Sequence, residues 1–404
     1  MFYIGIDWSK DHHDMCIMSE SGAVVSQIKY KQSLEGFQRM EGECKKLGVS
    51  PRQCIVAIET TYNLMVDFLV ERGYMVYIIP PQATKGYRNR KHSSNAHTDA
   101  SDAALLASIM RTDRNSHRRL MPNSPLTQQI LAQVRLIELL RCSIQRQENQ
   151  LGAVLLRIYP RALDLFDKLS SQISLHFLIA YPTAQEASAL SLVDFREFCK
   201  THHYSCPSYI PMRYAHLIDP APEANPAVIQ AYQGHVSTLA EVLLPQVERR
   251  NKAQVRLTKL FDQHPDAFIF DSLPGAGKLL APALLAKFGD HRGRFPSHAD
   301  VQALAGTCPT TERSGRRWTV RFRRGCDKEF RRITQQYARS SVPESGWANA
   351  YCHEIRSHHP SNSHAYRCLA NRWLAIIWKI WQTRQAYDEG YHLRQRAARR
   401  RPRS

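Results

Sequence analysis

The sequence predicts an α/β domain at its N-terminus, a long helical middle and a mainly α C-terminal part that is strongly basic. Three observations carry this. Short apolar runs alternate with helix patterns over the first 110 residues, an unbroken helical periodicity spans Leu126 to Ile158, and arginines crowd the segment 313–339.

The elements follow in order. Residues 2–7, 14–18 and 24–30 read as strands, and Glu20-Ser21-Gly22 makes a turn between the second and third. A helix runs from Ser33, a good N-cap, to Leu47, and Gly48 stops it. A strand at 54–58 comes next, then a helix near 62–72 closed by Gly73, a strand at 74–79 closed by Pro80-Pro81, and a helix starting close to Thr98. Three strands, helix, strand, helix, strand, helix is an α/β sheet led by an antiparallel meander. In it the first and fourth strands can be neighbours.

In the middle, steps of four and three give Ile130, Val134, Ile137, Arg141, Ile144, Glu148, Leu151, Leu155 and Ile158. Seven of these nine are apolar, the seam of a coiled coil or of long antiparallel helices, with dimerisation the preferred use. A second helical stretch at about 227–262 contains Pro245, which is expected to kink or split it. The proline-rich piece 160–226 has no clear period. Within it, Cys199, His202, His203 and Cys206 are too cramped for a structural zinc site and read as a polar loop.

From Phe268 the character changes. Leu273-Pro274-Gly275-Ala276-Gly277-Lys278 imitates a phosphate-binding loop, but Ser272 stands where its first glycine belongs and Leu279 where it needs Ser or Thr. It fits a turn between helices, with glycines for close approach to a DNA phosphate or simply a Pro-Gly turn before a helix. The segment 313–339 holds ten Lys/Arg against Asp327 and Glu329, with Trp318 and Phe322 interleaved, as a phosphate-tracking surface would. The apolar run Trp373–Trp381 reads as core. The last eleven residues carry six arginines and are expected to be a disordered basic tail.

Four acids stand out: Asp7, Glu59, Asp99 and Asp102. Asp7 and Glu59 close two apolar strands, and Asp99 and Asp102, three apart, share a helix face. Acids at buried strand ends need a compensating positive charge, which a pair of divalent metal ions would supply. The formal net charge of +19 favours nucleic acid as partner over the competing reading, an anionic membrane surface. No apolar run approaches the ~20 residues of a membrane span, and Asp7, Lys10 and Asp11 interrupt what could be a signal peptide. Ten irregularly spaced cysteines suggest reduced thiols. A cytoplasmic protein is expected.

Gly5-Ile6-Asp7-Trp8-Ser9-Lys10, Ile58-Glu59-Thr60 and His97-Thr98-Asp99-Ala100-Ser101-Asp102-Ala103 resemble the RuvC-like domain of the DEDD insertion-sequence recombinases of Piv/MooV type. Leu273-Pro274-Gly275-Ala276-Gly277, Phe288-Gly289-Asp290, Phe295, Leu304-Ala305-Gly306, Arg313-Ser314-Gly315, Arg324-Gly325 and Arg331-Arg332 resemble their transposase domain. The resemblance covers about 1–110 and 268–385. It implies a RuvC-like, ribonuclease-H-like first domain (1–120), a helical coiled-coil region (121–265), a transposase domain (266–390) and a basic tail (391–404). It further implies Mg²⁺, or Mn²⁺, on the four acids and a nucleophilic serine at Ser314. The partners implied are donor and target DNA, a structured noncoding guide (bridge) RNA and further copies of the chain as a homodimer or homotetramer, with a composite site between protomers.

Around Ser314, Arg313, Arg316 and Arg317 could hold a scissile phosphate and stabilise developing charge, and Arg321, Arg323, Arg324, Arg331 and Arg332 extend the nucleic-acid surface. The family's lysine-rich stretch after the serine is Arg316-Arg317-Trp318-Thr319 here, and its Lys-Arg-Gly-Asn is Arg323-Arg324-Gly325-Cys326. Two rivals remain: a metal-dependent Holliday-junction-type nuclease that does not use the serine, and a nucleic-acid-binding protein without catalysis.

Overall fold

The computed structural model describes residues 1–60, 63–91, 98–220, 222, 224–315 and 317–400. His97, Arg316, Arg401 and Arg403 lie outside them, as do the side chains of Arg317, Arg396, Arg399 and Arg400. The chain divides into two compact units, Met1–Pro122 and Asn123–Ser404.

The first unit is a five-stranded mixed sheet. Its strands β1 (Phe2–Trp8), β2 (His12–Met18), β3 (Val24–Lys31), β4 (Cys54–Ile58) and β5 (Met75–Ile78) lie in the order β3-β2-β1-β4-β5. The first three form the antiparallel meander, while β1 pairs β4, and β4 pairs β5, in parallel. Alternate residues point to opposite faces, and both faces are covered. Ile4, Ile6, Met15, Val56 and Ile58 meet Phe37 and Met40 of helix α1 (Leu34–Lys46) and Val66 and Leu69 of α2 (Leu64–Glu71). Helix starts are fixed by side chains: Ser33 accepts from the Gly36 amide and Asn63 from the Val66 amide. Tyr3, Met18, Ile55 and Ala57 meet Leu105, Leu106, Ile109 and Met110 of α4 (Asp99–Asp113) on the other face. Helix α3 (Pro81–Lys91) was not expected. Pro81 opens it instead of merely ending β5, because a first-turn residue needs no N–H.

In the second unit α5 (Pro125–Ile158) is followed by α6 (Gln172–Ala180), α7 (Ala184–Ser188), α8 (Leu192–Thr201), α9 (Ile210–Ile218) and α10 (Pro226–Asp262). Helices α5 and α10 run antiparallel. Ile130, Val134 and Ile137 share a cluster with Ala253, Leu257 and Phe261, and Leu151, Leu155 and Ile158 share one with Ile229, Val236 and Ala240. All seven apolar residues of the seam are therefore buried within the chain, not on a surface free for dimerisation. Pro245 does not split α10. Its neighbours Leu243 and Val247 are buried, and that packing outweighs one lost backbone bond.

The remaining elements are α11 (Ala267–Asp271), α12 (Gly277–Phe288), α13 (His298–Leu304), a hairpin of β6 (Thr310–Ser314) and β7 (Arg317–Arg321), α14 (Lys328–Ser341), α15 (Gly346–His358), α16 (Asn362–Thr383) and α17 (Glu389–Arg400). Trp373 and Trp381 of α16 are fully buried and donate from Nε1 to Ser341 Oγ and to the Gly289 carbonyl. Gly275, at φ +73°, does allow a close backbone approach, but to the carbonyl of Ser340, which a Cβ would meet at 2.3 Å. The tail expected to be disordered is helical as far as Arg400. Asp388 accepts from the Tyr391 amide at its start, Glu389 accepts from Ser345 Oγ, and Leu, Gln, Arg and Ala are good helix formers.

Candidate active site

Gly5 sets the position of the acids. A Cβ there would come within 1.9 Å of the Ala103 carbonyl oxygen and 2.5 Å of the Ala107 nitrogen. Only glycine lets α4 lie this close to β1. Asp7 is two residues on, hence on the same face of the sheet, and Asp102 directly precedes Ala103. The β1–β4 register pairs Ile6 with Ile58, so Asp7 and Glu59 follow as neighbours at the ends of adjacent parallel strands. Helix α4 starts with a reciprocal cap: Ser101 N–H donates to Thr98 Oγ1 and the Thr98 amide to Ser101 Oγ. Gln27 Nε2 donates to the Ala100 carbonyl, tying this first turn to β3. Asp99 and Asp102 lie in that turn, where the helix dipole favours negative charge.

The electrostatics follow from this placement. Burial, and then the charges of Asp102, Asp99, Glu59 and Asp14, push the Asp7 carboxyl up to about 6. Asp14 is an acid that the sequence reading missed. It stands opposite Asp7 in the β1–β2 ladder and is buried. Among the described residues, Lys29 and Arg88 answer these charges. Lys29 Nζ is 3.4 Å from Asp14 and 3.8 Å from Asp99, and Arg88 of α3 donates to Asp102 Oδ1 at 2.7 Å. Asp99 and Asp102 are thus turned to side-chain cations, and among the described residues no three Asp, Glu, His or Cys side chains are gathered as ligands of one ion. Even so, an all-carboxylate donor set whose members repel one another suits a hard divalent cation such as Mg²⁺ or Mn²⁺. Asp14 could have been found only from the strand register. Arg88 sits on the helix that Pro80-Pro81 concealed.

Ser314 is exposed at the end of β6, immediately before Gly315 at φ +56°. The hairpin carrying it is held at its base by arginines. Arg323 donates to the Cys308 and Pro309 carbonyls, and Arg331 donates to the Arg323 carbonyl and Cys326. Arg332 pairs with Glu138 at 3.2 Å. Arg323, Arg331 and Arg332 therefore have structural partners, Arg321 pairs with Glu312 at 3.6 Å within the hairpin, and Arg313 and Arg324 are exposed on or beside it. Below it, buried Lys287 bonds Asp327 at 2.8 Å and Glu329 at 2.6 Å, and Asp327 caps α14. The ribbon leaves only a faint trace in the sequence, the alternation Arg317-Trp318-Thr319-Val320-Arg321 after a Ser-Gly turn, which the surrounding arginines mask.

Comparison with known proteins agrees with both halves. A family model for a DEDD-type IS110 transposase matches residues 4–160, and one described as the transposase IS116/IS110/IS902 family matches 267–353. The chain is 31% identical to the mini-circle putative transposase for IS117 of Streptomyces coelicolor over 398 residues, 96% of this chain and 95% of that one. It is 26% identical over 202 residues to the putative transposase y4uE of Sinorhizobium fredii, covering 50% and 56% of the two chains. It is also 24% identical over 320 residues, 78% and 77%, to an uncharacterized 43.6 kDa protein of insertion element IS110 from Streptomyces coelicolor.

Proposed function

Because this chain belongs to the IS116/IS110/IS902 family of transposases, and so acts on DNA as a recombinase, we propose that it moves its insertion element through a covalent bond between Ser314 and DNA. The N-terminal unit is read as a RuvC-like, ribonuclease-H-like domain, on the strength of its β3-β2-β1-β4-β5 order and its parallel β1–β4 pair. Asp7, Glu59, Asp99 and Asp102 would hold Mg²⁺, or Mn²⁺. Bound there, the cation would supply Lewis-acid stabilisation of charge on phosphate oxygens.

The chain's own part of the chemistry is as follows. Ser314 Oγ gives up its proton and attacks the scissile phosphorus, one P–O bond to deoxyribose breaks, and the departing oxygen takes up a proton to become a hydroxyl. A phosphoserine diester links protein and DNA until a hydroxyl of another strand attacks it and frees the serine. Arg316 and Arg317 neutralise the scissile phosphate and the charge that develops on it, and Arg313, which alternates to the other face of the ribbon, neutralises a neighbouring phosphate. A structured noncoding RNA pairs with donor and target DNA and supplies sequence specificity, while the protein reads shape and phosphates, as in other guided systems. The antiparallel α5–α10 pair serves as the family's coiled-coil element. The protein works in the cytoplasm as a homodimer or homotetramer.

The observation that carries this reading is the placement of Asp7 and Glu59 at neighbouring strand ends in the unit where α4 lies hard against β1, together with an exposed serine on a basic hairpin of the second unit. The test is a denaturing gel of protein incubated with guide RNA and DNA carrying the element's end. Wild type should leave a protein-linked DNA band, and both Ser314→Ala and Asp102→Asn should lose it. Strand cleavage with free ends in Ser314→Ala would instead favour the Holliday-junction-type nuclease.

A further inference from the structure

The hairpin carrying Ser314 has a second face. Its register pairs Thr311 with Val320 and Arg313 with Trp318. Directly opposed residues share a face, so Thr311, Arg313, Trp318 and Val320 lie on one side, and Glu312, Ser314 and Thr319 on the other. Trp318 is 72% exposed and Val320 56%. Phe322 continues the alternation at 46%, and its ring lies under two guanidinium groups, Arg331 at 4.3 Å and Arg367 at 5.1 Å.

A two-stranded ribbon gains little stability by itself, and an indole held in water on such a ribbon is unfavourable unless something covers it. Charge selects the occupant. The aromatic stripe is bounded by Arg313 at one end and by Arg331 and Arg367 at the other, and the described residues put no acid on this face. A second copy of a chain of net charge +19 would bring like charge to it. A nucleotide strand supplies both complements, phosphates for the guanidinium groups and flat π faces for the indole.

We propose that the Trp318–Val320 face docks single-stranded DNA, with Trp318 stacked on an unpaired base and Arg313 on a neighbouring phosphate. DNA is chosen over RNA because Ser314 adjoins Arg313 on the same strand, so this inference rests on the serine reading above. Arg313 and Ser314 are consecutive and face opposite ways. The stacked base therefore flanks the cleavage point, and stacking holds that base out of the duplex while the phosphate bends across the ribbon's end.

The experiment uses the full chain and oligonucleotides carrying 2-aminopurine at successive positions, as single-stranded DNA, duplex DNA and RNA, each titrated across salt. Wild type should quench one or two positions of the single-stranded DNA. Trp318→Ala and Trp318→Leu should lose the quench and bind roughly tenfold more weakly, within the span of base–aromatic stacking, with the salt slope unchanged. Trp318→Phe should keep most of the affinity, and Arg313→Gln should lower the salt slope by about one. Ser314→Ala should bind and quench as wild type does, so a failure of the nucleophile reading leaves this result intact. Wild-type affinity in Trp318→Leu would overturn the proposal, as would a loss confined to RNA. Self-association of the nucleic-acid-free protein that Trp318→Ala abolishes would also overturn it, by showing that protein covers this face.

Discussion

Asp7 carries the electrostatic cost of the first unit. Its carboxyl is raised to about 6 by burial and by the acids around it, against ~3.9 in an unfolded chain. Between those values the folded state holds a proton that the unfolded state has lost, so stability rises as pH falls through 6 and the gain is complete near ~4. Above 6 the ionised Asp7 destabilises the metal-free fold, by something on the order of 2 kcal/mol. In EDTA, Asp7→Asn should therefore raise the Tm by several degrees at pH 7.5, and the advantage should vanish near pH 4. A Tm that falls at pH 7.5 would contradict the picture of crowded carboxylates. The same residues show the reach of sequence reading at this scale. Asp7 and Glu59 were visible because each ends an apolar run, and Asp99 and Asp102 because helix spacing pairs them. Asp14 was not, since its partnership with Asp7 depends on which residues face each other across β1 and β2.

Elements were legible where one periodicity dominates. Strands β1 to β5 and helices α1, α2 and α4 follow the alternation and capping pattern of the sequence, whereas α3 and β6–β7 do not announce themselves. The second proline of Pro80-Pro81 starts a helix there, and around Ser314 the arginines mask the strand period. Packing overrode local preference at Pro245. The seam of α5 was evident from its spacing, but its partner was not, because antiparallel association with α10 satisfies the same heptads as a second copy would. The element contact most sensitive to a single atom is α4 on β1. Gly5→Ala puts a methyl into the Ala103 carbonyl, so α4 must move outward or the strand must bend. The expected loss is roughly 2–3 kcal/mol, at the upper end for overpacking. Asp99 and Asp102 would move with α4. Thermal melts should show the loss, and Mg²⁺ should stabilise Gly5→Ala less than wild type. An unchanged Mg²⁺ response would mean that the closeness of α4 does not govern the acids.

At the scale of the whole molecule the residues proposed for the two parts of the chemistry fall in different units. All four acids, with Lys29 and Arg88, belong to Met1–Pro122, and Ser314 with its arginines belongs to Asn123–Ser404. The first unit contains a complete sheet with apolar layers on both faces, and the second contains two apolar clusters of its own, joined along α5 and α10. Each therefore has what independent folding requires, a core not borrowed from elsewhere. Fragments 1–122 and 123–404 should each unfold cooperatively by circular dichroism. The separation extends to ligands. Millimolar Mg²⁺ should raise the Tm of 1–122, by relieving the repulsion on Asp7, and Asp102→Asn should abolish that rise; 123–404 should not respond. Fragment 123–404 should keep salt-dependent DNA binding that Trp318→Ala weakens, whereas covalent attachment to DNA should need the whole chain. Adduct formation by 123–404 alone would show that Ser314 acts without the acids, and the carboxylates would then need another role. A fragment 1–122 that folds but ignores Mg²⁺ would show that Lys29 and Arg88 already satisfy the acids as they stand.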